Sequence, residues 1–237
     1  GYVLLAAQLM HPSKSGTADE WRSMRFLVRK LCADTQYPSC IFIQENYLMI
    51  VRQHFSAQEA QKLAAQLCTA VQDASAEPVS VHIGISDAGL GYDGIHTCYH
   101  QAVSAMRLAV MKKSSVMHYH DIGVYKLLFG VASSRILSDY VESTLGRLLD
   151  YDAKNNTDCA QLLRCYFEND CSVKEVADIF GVHRNTVNYK LKQIRELLNS
   201  SFSDEDKMNL LLAFRAQELL STDSSKLIME DDSYEGN

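Results

Sequence analysis

Strand-like patterning runs through the first 120 residues of this chain and then stops, and that break constrains the fold more than any single motif. Before it, short apolar or alternating runs are separated by stretches with helical spacing. After it, every periodic segment repeats at three and four residues. A chain of this kind is expected to fold as an α+β part followed by an all-α part.

In the first part, Tyr2 to Leu9 reads as a short apolar strand. Thr17-Ala-Asp-Glu20 reads as a capping box, in which a threonine oxygen and a glutamate satisfy free N–H groups at a helix start. The helix after it presents Trp21, Met24, Leu27, Val28 and Leu31 on one face. Cys40 to Ile43 and Tyr47 to Val51 read as a hairpin joined by Gln44-Glu45-Asn46. A second capping box, Ser56-Ala-Gln-Glu59, starts a helix running to about Asp73. Val79, Val81, Ile83 and Ile85 alternate with Ser80, His82, Gly84 and Ser86, the period of a half-buried strand. A long helix over Gly94 to Lys112 and a short strand over Val116 to Tyr119 complete the order β-α-β-β-α-β-α-β. That order predicts a ferredoxin-like core with one added helix and strand, an antiparallel or mixed sheet with helices on one face.

The second part carries helical segments at Ile122–Gly130, Ser134–Leu149, Asp158–Asn169, Val173–Phe180, Arg184–Asn199 and Asp204–Leu220. The expected organisation is an α/β domain over 1–120, a helical linker over 121–156, an all-α domain over 157–220 and an acidic, disordered tail over 221–237.

A formal charge of −6 speaks against a nucleic-acid binder only if the charge is spread evenly, because just the contacting face must be positive. No apolar run approaches the roughly 18 residues that cross a bilayer, and no secretory pattern opens the chain, so a cytoplasmic protein without a membrane partner is expected. The chain starts at Gly1 and not at Met, which suggests a fragment of a longer protein. Its seven cysteines include no C-x-x-C pair, and several fall at apolar helical positions. Reduced core thiols are expected, and no metal or other cofactor.

The segment Ser172 to Leu198 concentrates the chemistry. Ser172-Val-Lys-Glu175 reads as a capping box opening a short helix whose Val173, Val176, Ala177 and Phe180 form one buried stripe. Ala177 is small where two helices must nearly touch. Gly181 can take the left-handed conformation that ends a helix and turns the chain, and Val182 is expected to plug the corner. The next helix buries Val187, Leu191, Ile194 and Leu198. Its other face carries Arg184, Asn185, Asn188, Tyr189 and Lys192, and from Val182 to Arg195 there are basic residues and no acidic one. The pattern predicts a helix-turn-helix whose second helix enters the major groove of double-stranded DNA. Arginine and asparagine can each make paired hydrogen bonds to a base edge. His183, Arg184, Asn185, Thr186, Asn188, Tyr189, Lys190, Lys192 and Arg195 form the candidate interface, with Thr186, Tyr189, Lys190 and Arg195 suited to phosphates.

These residues also resemble a known family. L-G-R-L-L-D-Y-D (Leu145–Asp152), L-L-R-C-Y-F-E-N (Leu162–Asn169), V-A-D-I-F-G-V-H-R-N-T-V-N-Y-K-L-K-Q-I (Val176–Ile194) and the helix around Leu210-Leu-Leu-Ala-Phe-Arg215 resemble the C-terminal domain of PucR/CdaR-type bacterial regulators. V-S-V-H-I-G-I-S (Val79–Ser86) and the A-x-x-A-x-x-L-A helix (Ala102–Ala109) resemble the degenerate GGDEF-like domain of the same family, a nucleotide-cyclase-like fold. The resemblance implies a homodimeric regulator that answers a small-molecule effector by controlling a catabolic or transport operon. The hairpin reads Q-E-N where active cyclases carry a Gly-Gly-acidic-acidic signature, and the first strand runs L-L-A-A-Q-L-M-H without an aspartate. Two-metal phosphoryl transfer needs such carboxylates, so no cyclase activity and no catalytic residue are expected.

Two rivals stand beside this reading: a divergent cyclase or phosphodiesterase, and a helical module that binds protein. Other candidate positions have bland explanations. His118 and His120 stand on one side of a predicted strand as a possible metal pair, although capping of a sheet edge is commoner. His82 is expected to be structural. Tyr92, Tyr99 and His100 would line a pocket only if their helix were not simply core.

Overall fold

The computed structural model describes residues 1–10, 18–33, 39–44, 47–75, 78–91, 93–131 and 134–221. It divides into two units, Gly1–Phe129 and Gly130–Asn237. The expected capping box at Thr17, the hairpin residues Glu45 and Asn46, Tyr92 and the tail beyond Ser221 lie outside the described residues.

The first unit runs β1 (Tyr2–Met10), α1 (Ala18–Cys32), β2 (Ser39–Gln44), β3 (Tyr47–Gln53), α2 (Ala57–Ala74), β4 (Ser80–Ile85), α3 (Asp93–Met111) and β5 (Val116–His118). A 3-10 turn over Tyr119–Ile122 and α4 (Tyr125–Phe129) close it. The strands form one sheet in the order β2-β3-β1-β4-β5. β1 lies antiparallel to β3 and β4, β2 pairs β3 as the expected hairpin, and β5 joins β4 in parallel. The first four strands have the order of a ferredoxin-like sheet, and α3 with β5 is the added pair. Ser56 forms the complete capping box with Glu59 that starts α2.

Helices cover both faces of this sheet, where the sequence reading put them on one. Val3, Leu5, Ala7, Leu48, Ile50, Ile83 and Ile85 face α1 and α2, meeting Trp21, Met24 and Val28 from α1 and Leu63, Leu67 and Val71 from α2. Leu4, Ala6, Tyr47 and Met49 face the other way and meet Cys98, Ala102, Val103 and Met106 of α3. β4 is accordingly buried on both sides, not half-buried. Its small and polar residues misled the pattern because they serve a close approach. A Cβ on Gly84 would stand 2.0 Å from the Ala102 carbonyl oxygen and 2.2 Å from the Met106 nitrogen. The absence of a side chain lets the α3 backbone rest on the strand. His82 is held here by Ser114 O at 2.7 Å and Ser80 Oγ at 3.2 Å, the structural role expected of it. Ser86 accepts from Leu4 N at 3.0 Å and donates to Asp87 O at 2.8 Å.

The second unit contains α5 (Ser134–Asn155), α6 (Cys159–Glu168), α7 (Val173–Phe180), α8 (Arg184–Leu198) and α9 (Asp204–Ser221). The stretch read as a linker supplies α5, which packs against α9, α6 and α8 and buries Leu137, Val141, Leu145 and Leu148. The single helix expected over Ile122–Gly130 is instead the 3-10 turn and α4, separated at Gly123, whose φ of 57° breaks the helix.

Candidate nucleic-acid interface

α7 and α8 form the expected pair, and the local chemistry explains each boundary. Ser172 caps α7, its hydroxyl accepting from Glu175 N at 3.3 Å. Only this half of the predicted capping box is formed. The Ser172 N–H donates instead to Asn169 O at 2.9 Å. The turn before it carries Asp170 and Cys171 at φ 49° and 60°, which brings that carbonyl round.

Gly181 ends α7 at φ 63°. Val182 N donates to Ala177 O at 3.0 Å and Gly181 N to Asp178 O at 3.4 Å, the paired bonds of a Schellman turn. Val176 and Ala177 are buried beneath it. Val182 does not plug the corner: it is 37% exposed and faces outward beside the start of α8. The turn bonds use its backbone, and Val187 and Leu191 fill the core that its side chain was expected to fill.

α8 opens on His183, whose Nδ1 accepts from Asn185 N at 3.2 Å. That bond requires an unprotonated Nδ1, with the proton of the neutral ring on Nε2. The sequence pattern gave His183 to DNA without seeing this capping role. Val187, Leu191 and Ile194 are buried. Arg184, Asn185, Thr186, Asn188, Tyr189 and Lys192 are exposed together along the first turns, Tyr189 at 68%. Two cations, two amides, a hydroxyl and a phenol thus stand exposed on α8.

Two of the nine candidates have neighbours within the helical unit. The Arg195 guanidinium lies 4.7 Å from the centre of the Phe202 ring. Lys190 is half-buried, and while burial pushes the Cys159 thiol up, Lys190 is near enough for its charge to oppose that shift. Arg195 is exposed and continues the line of Asn188 and Lys192 at helical spacing, whereas Lys190 lies off that face.

The residues that hold this face in place were legible only in part. Asp152, at the end of α5, is the missing cap of α6. One carboxylate oxygen accepts from Thr157 Oγ1 at 2.6 Å and Cys159 N at 2.9 Å, and the other accepts from Ala160 N at 2.8 Å. Beside it Tyr151 accepts a bond from Gln193 of α8 at 2.6 Å. The D-Y-D end of the α5 motif therefore ties three helices together. At the far end of α8, Asn199 takes φ 50° in a second Schellman-type turn. Ser203 and Asp206 then exchange backbone-to-side-chain bonds of 3.2 Å at the start of α9, an S-x-x-D box not among the capping boxes expected from sequence. Arg164, Glu168, Arg215 and Glu218 close an ion-paired ring between α6 and α9, with contacts from 2.9 to 3.5 Å.

The other candidate positions are engaged in the first unit. β5 ends at His118, so His118 and His120 do not share a strand. His118 Nε2 meets Gln61 Oε1 at 2.7 Å, and His120 pairs with Asp121 at 3.3 Å and Asp87 at 3.7 Å. Tyr99 is half-buried against the core beneath α3.

A capped short helix, a left-handed glycine turn and a second helix with an exposed, acid-free first half define a helix-turn-helix module. Residues 159–216 match the PucR C-terminal helix-turn-helix domain, and residues 1–108 match the GGDEF-like domain. The chain thus carries a PucR-type helix-turn-helix domain with a GGDEF-like domain ahead of it. Among curated proteins it is 25% identical over 130 residues to the proline-responsive transcriptional activator PutR of Bacillus subtilis, covering 54% of this chain and 32% of that protein. It is 31% identical over 145 residues to the purine catabolism regulatory protein of the same organism, covering 60% of this chain and 27% of that protein. The matched stretches thus span about a third or less of these relatives. A solved structure, the regulator of polyketide synthase expression from Bifidobacterium adolescentis, is 17% identical over 93% of this chain and 82% of that chain. Its TM-score of 0.38 is too low to bear on the fold.

Proposed function

We propose that this chain binds operator DNA through α8 and acts, as a cytoplasmic homodimer, in the transcriptional control of a catabolic or transport operon. The observation that carries the reading is the exposed run Arg184, Asn185, Asn188, Tyr189 and Lys192, presented just after the Gly181 turn on a helix whose other face is buried. A helix so placed offers its first turns to base edges while flanking groups hold phosphates. Arg184 and the two asparagines are the base-reading candidates. Thr186, Tyr189 and Lys192 suit the backbone, with His183 at the helix entrance. Arg195, exposed beyond Lys192 with its guanidinium over Phe202, suits a phosphate, and Lys190, half-buried, contributes positive potential more than direct contact.

The GGDEF-like domain serves in this reading as a sensory or dimerising module without catalysis. β1 carries no carboxylate to hold a metal for phosphoryl transfer. The relatives named for proline response and purine catabolism make a small nitrogenous metabolite the first class of effector to try. A two-fold dimer would place half-sites about 34 Å apart, or a multiple of that.

The test is selection of bound duplexes from a random library by the chain, followed by affinity measurements at two salt concentrations beside Arg184→Ala. Specific binding that weakens steeply with salt is expected. Loss of roughly 1–3 kcal/mol at one base position in the variant would assign Arg184 to base reading. Selection that enriches no sequence, with equal weak binding by parent and variant, would sink the proposal.

A further inference from the structure

Two histidines on α3 stand outside everything assigned so far. His96 and His100 are one helical turn apart, and their Nε2 atoms approach to 2.9 Å with ring centres 4.2 Å apart. His96 is exposed and His100 half-buried. Tyr99 meets the His100 ring edge-on at 5.4 Å and is itself packed against the core, so the His100 ring is steadied from the protein side. Two like nitrogens so close can share one proton, one ring donating and the other accepting. They can equally share one metal ion, since neutral imidazole is the commonest protein ligand for such ions.

The distance sets the angle that the two nitrogens would subtend at a shared ion. With metal–nitrogen bonds of about 2.05 Å, nitrogens 2.9 Å apart subtend about 90° at the ion. Tetrahedral zinc would need an angle near 109°, hence nitrogens about 3.3 Å apart. A right angle is that of neighbouring positions in square-planar or octahedral coordination, which copper(II) and nickel(II) adopt. We propose that His96 and His100 form a two-nitrogen site for a divalent transition-metal ion of this tetragonal kind. The ion would bridge the turn from His96 to His100 in the helix that rests on Gly84 of β4, so its binding would stabilise the first unit by mass action.

The chain without a histidine tag is titrated with nickel(II) chloride by calorimetry at pH 7.5, where imidazoles are mainly neutral. In parallel, Trp21 fluorescence follows unfolding of the first unit with and without nickel. One site is expected, weakened at least tenfold in both His96→Asn and His100→Asn and changed less than twofold in His118→Asn, the control at the other histidine pair. The nickel-induced rise in the Trp21 transition should vanish in the first two variants. Neither is expected to fail to fold, because His96 is exposed and His100 only half-buried. Absence of a binding heat, or binding that survives both substitutions, would overturn the site. Zinc binding more than tenfold tighter than nickel would overturn the tetragonal geometry.

Discussion

Replacing Asp152 by alanine tests how the DNA-reading helices are held. Its carboxylate accepts three bonds, two from backbone N–H groups in the first turn of α6 and one from the Thr157 hydroxyl. Asp158, which holds the usual cap position, makes no side-chain cap bond, so Asp152 stands in for it from another helix. An N-cap lost to alanine costs about 0.5–2 kcal/mol. A hydrogen bond to a charged group is worth about 1.5–3 kcal/mol. These figures overlap, and the site is partly buried, so Asp152→Ala should cost about 2–4 kcal/mol in all. Asp152→Asn keeps one acceptor oxygen and loses the charge, for about half that cost. In a helical unit of this size, 2–4 kcal/mol lowers the melting temperature by roughly 10–20 °C. Trp21 is the one tryptophan of the chain and lies in the first unit's core. Its fluorescence therefore follows that unit, while far-ultraviolet circular dichroism adds the second. The variant should displace a circular-dichroism transition that the Trp21 signal does not report. A displacement worth less than about 0.5 kcal/mol, the scatter of surface substitutions, would refute the capping argument.

Three further outcomes follow from the same geometry. Gly84→Ala forces a methyl onto the α3 backbone and should cost at least about 1–3 kcal/mol, seen as an early Trp21 transition. His183→Ala should destabilise α8 by about 0.5–2 kcal/mol in thermal unfolding, with His183→Asn restoring most of it because asparagine is a good cap. Burial, followed by the neighbouring His120 charge, holds the His118 pKa below its ordinary 6.5, with Asp121 and Asp87 opposing. The unfolded chain then binds the proton more readily, so this contribution to stability is present above pH 6.5 and is lost as pH falls through the lowered value. His118→Gln should therefore lose less stability than the parent between pH 7.5 and 5.5, measured by urea unfolding; an equal loss would contradict it.

The order of elements and the hairpin could be read from spacing because each rests on a local period. The covering of both sheet faces could not. His82, Gly84 and Ser86 look solvent-facing by residue type, yet each suits a neighbouring backbone, that of the turn after α3, of α3 itself or of β1: a ring on Ser114 O, an absent side chain, a hydroxyl on Leu4 N. The candidate interface was legible for a related reason. Gly181 and the acid-free start of α8 are local signals, whereas the stacking of Arg195 on Phe202 joins residues that no helical period connects. Asp152 stands in the L-G-R-L-L-D-Y-D motif with no role legible from sequence, since the N–H groups it serves belong to the next helix.

α5 also has a practical bearing on how this protein can be divided. The matched helix-turn-helix domain begins at residue 159, but Leu145 and Leu148 are fully buried in the same helical unit, and Tyr140 donates to Asn209 O of α9 at 3.0 Å. A fragment cut at the homology boundary would open an apolar trough along α9 and strip α6 of its anion. It would be prone to aggregate and a poor DNA binder, whatever its recognition helix is able to read. A fragment starting near Ser134 keeps that trough filled, so burial marks a better place to cut than similarity does.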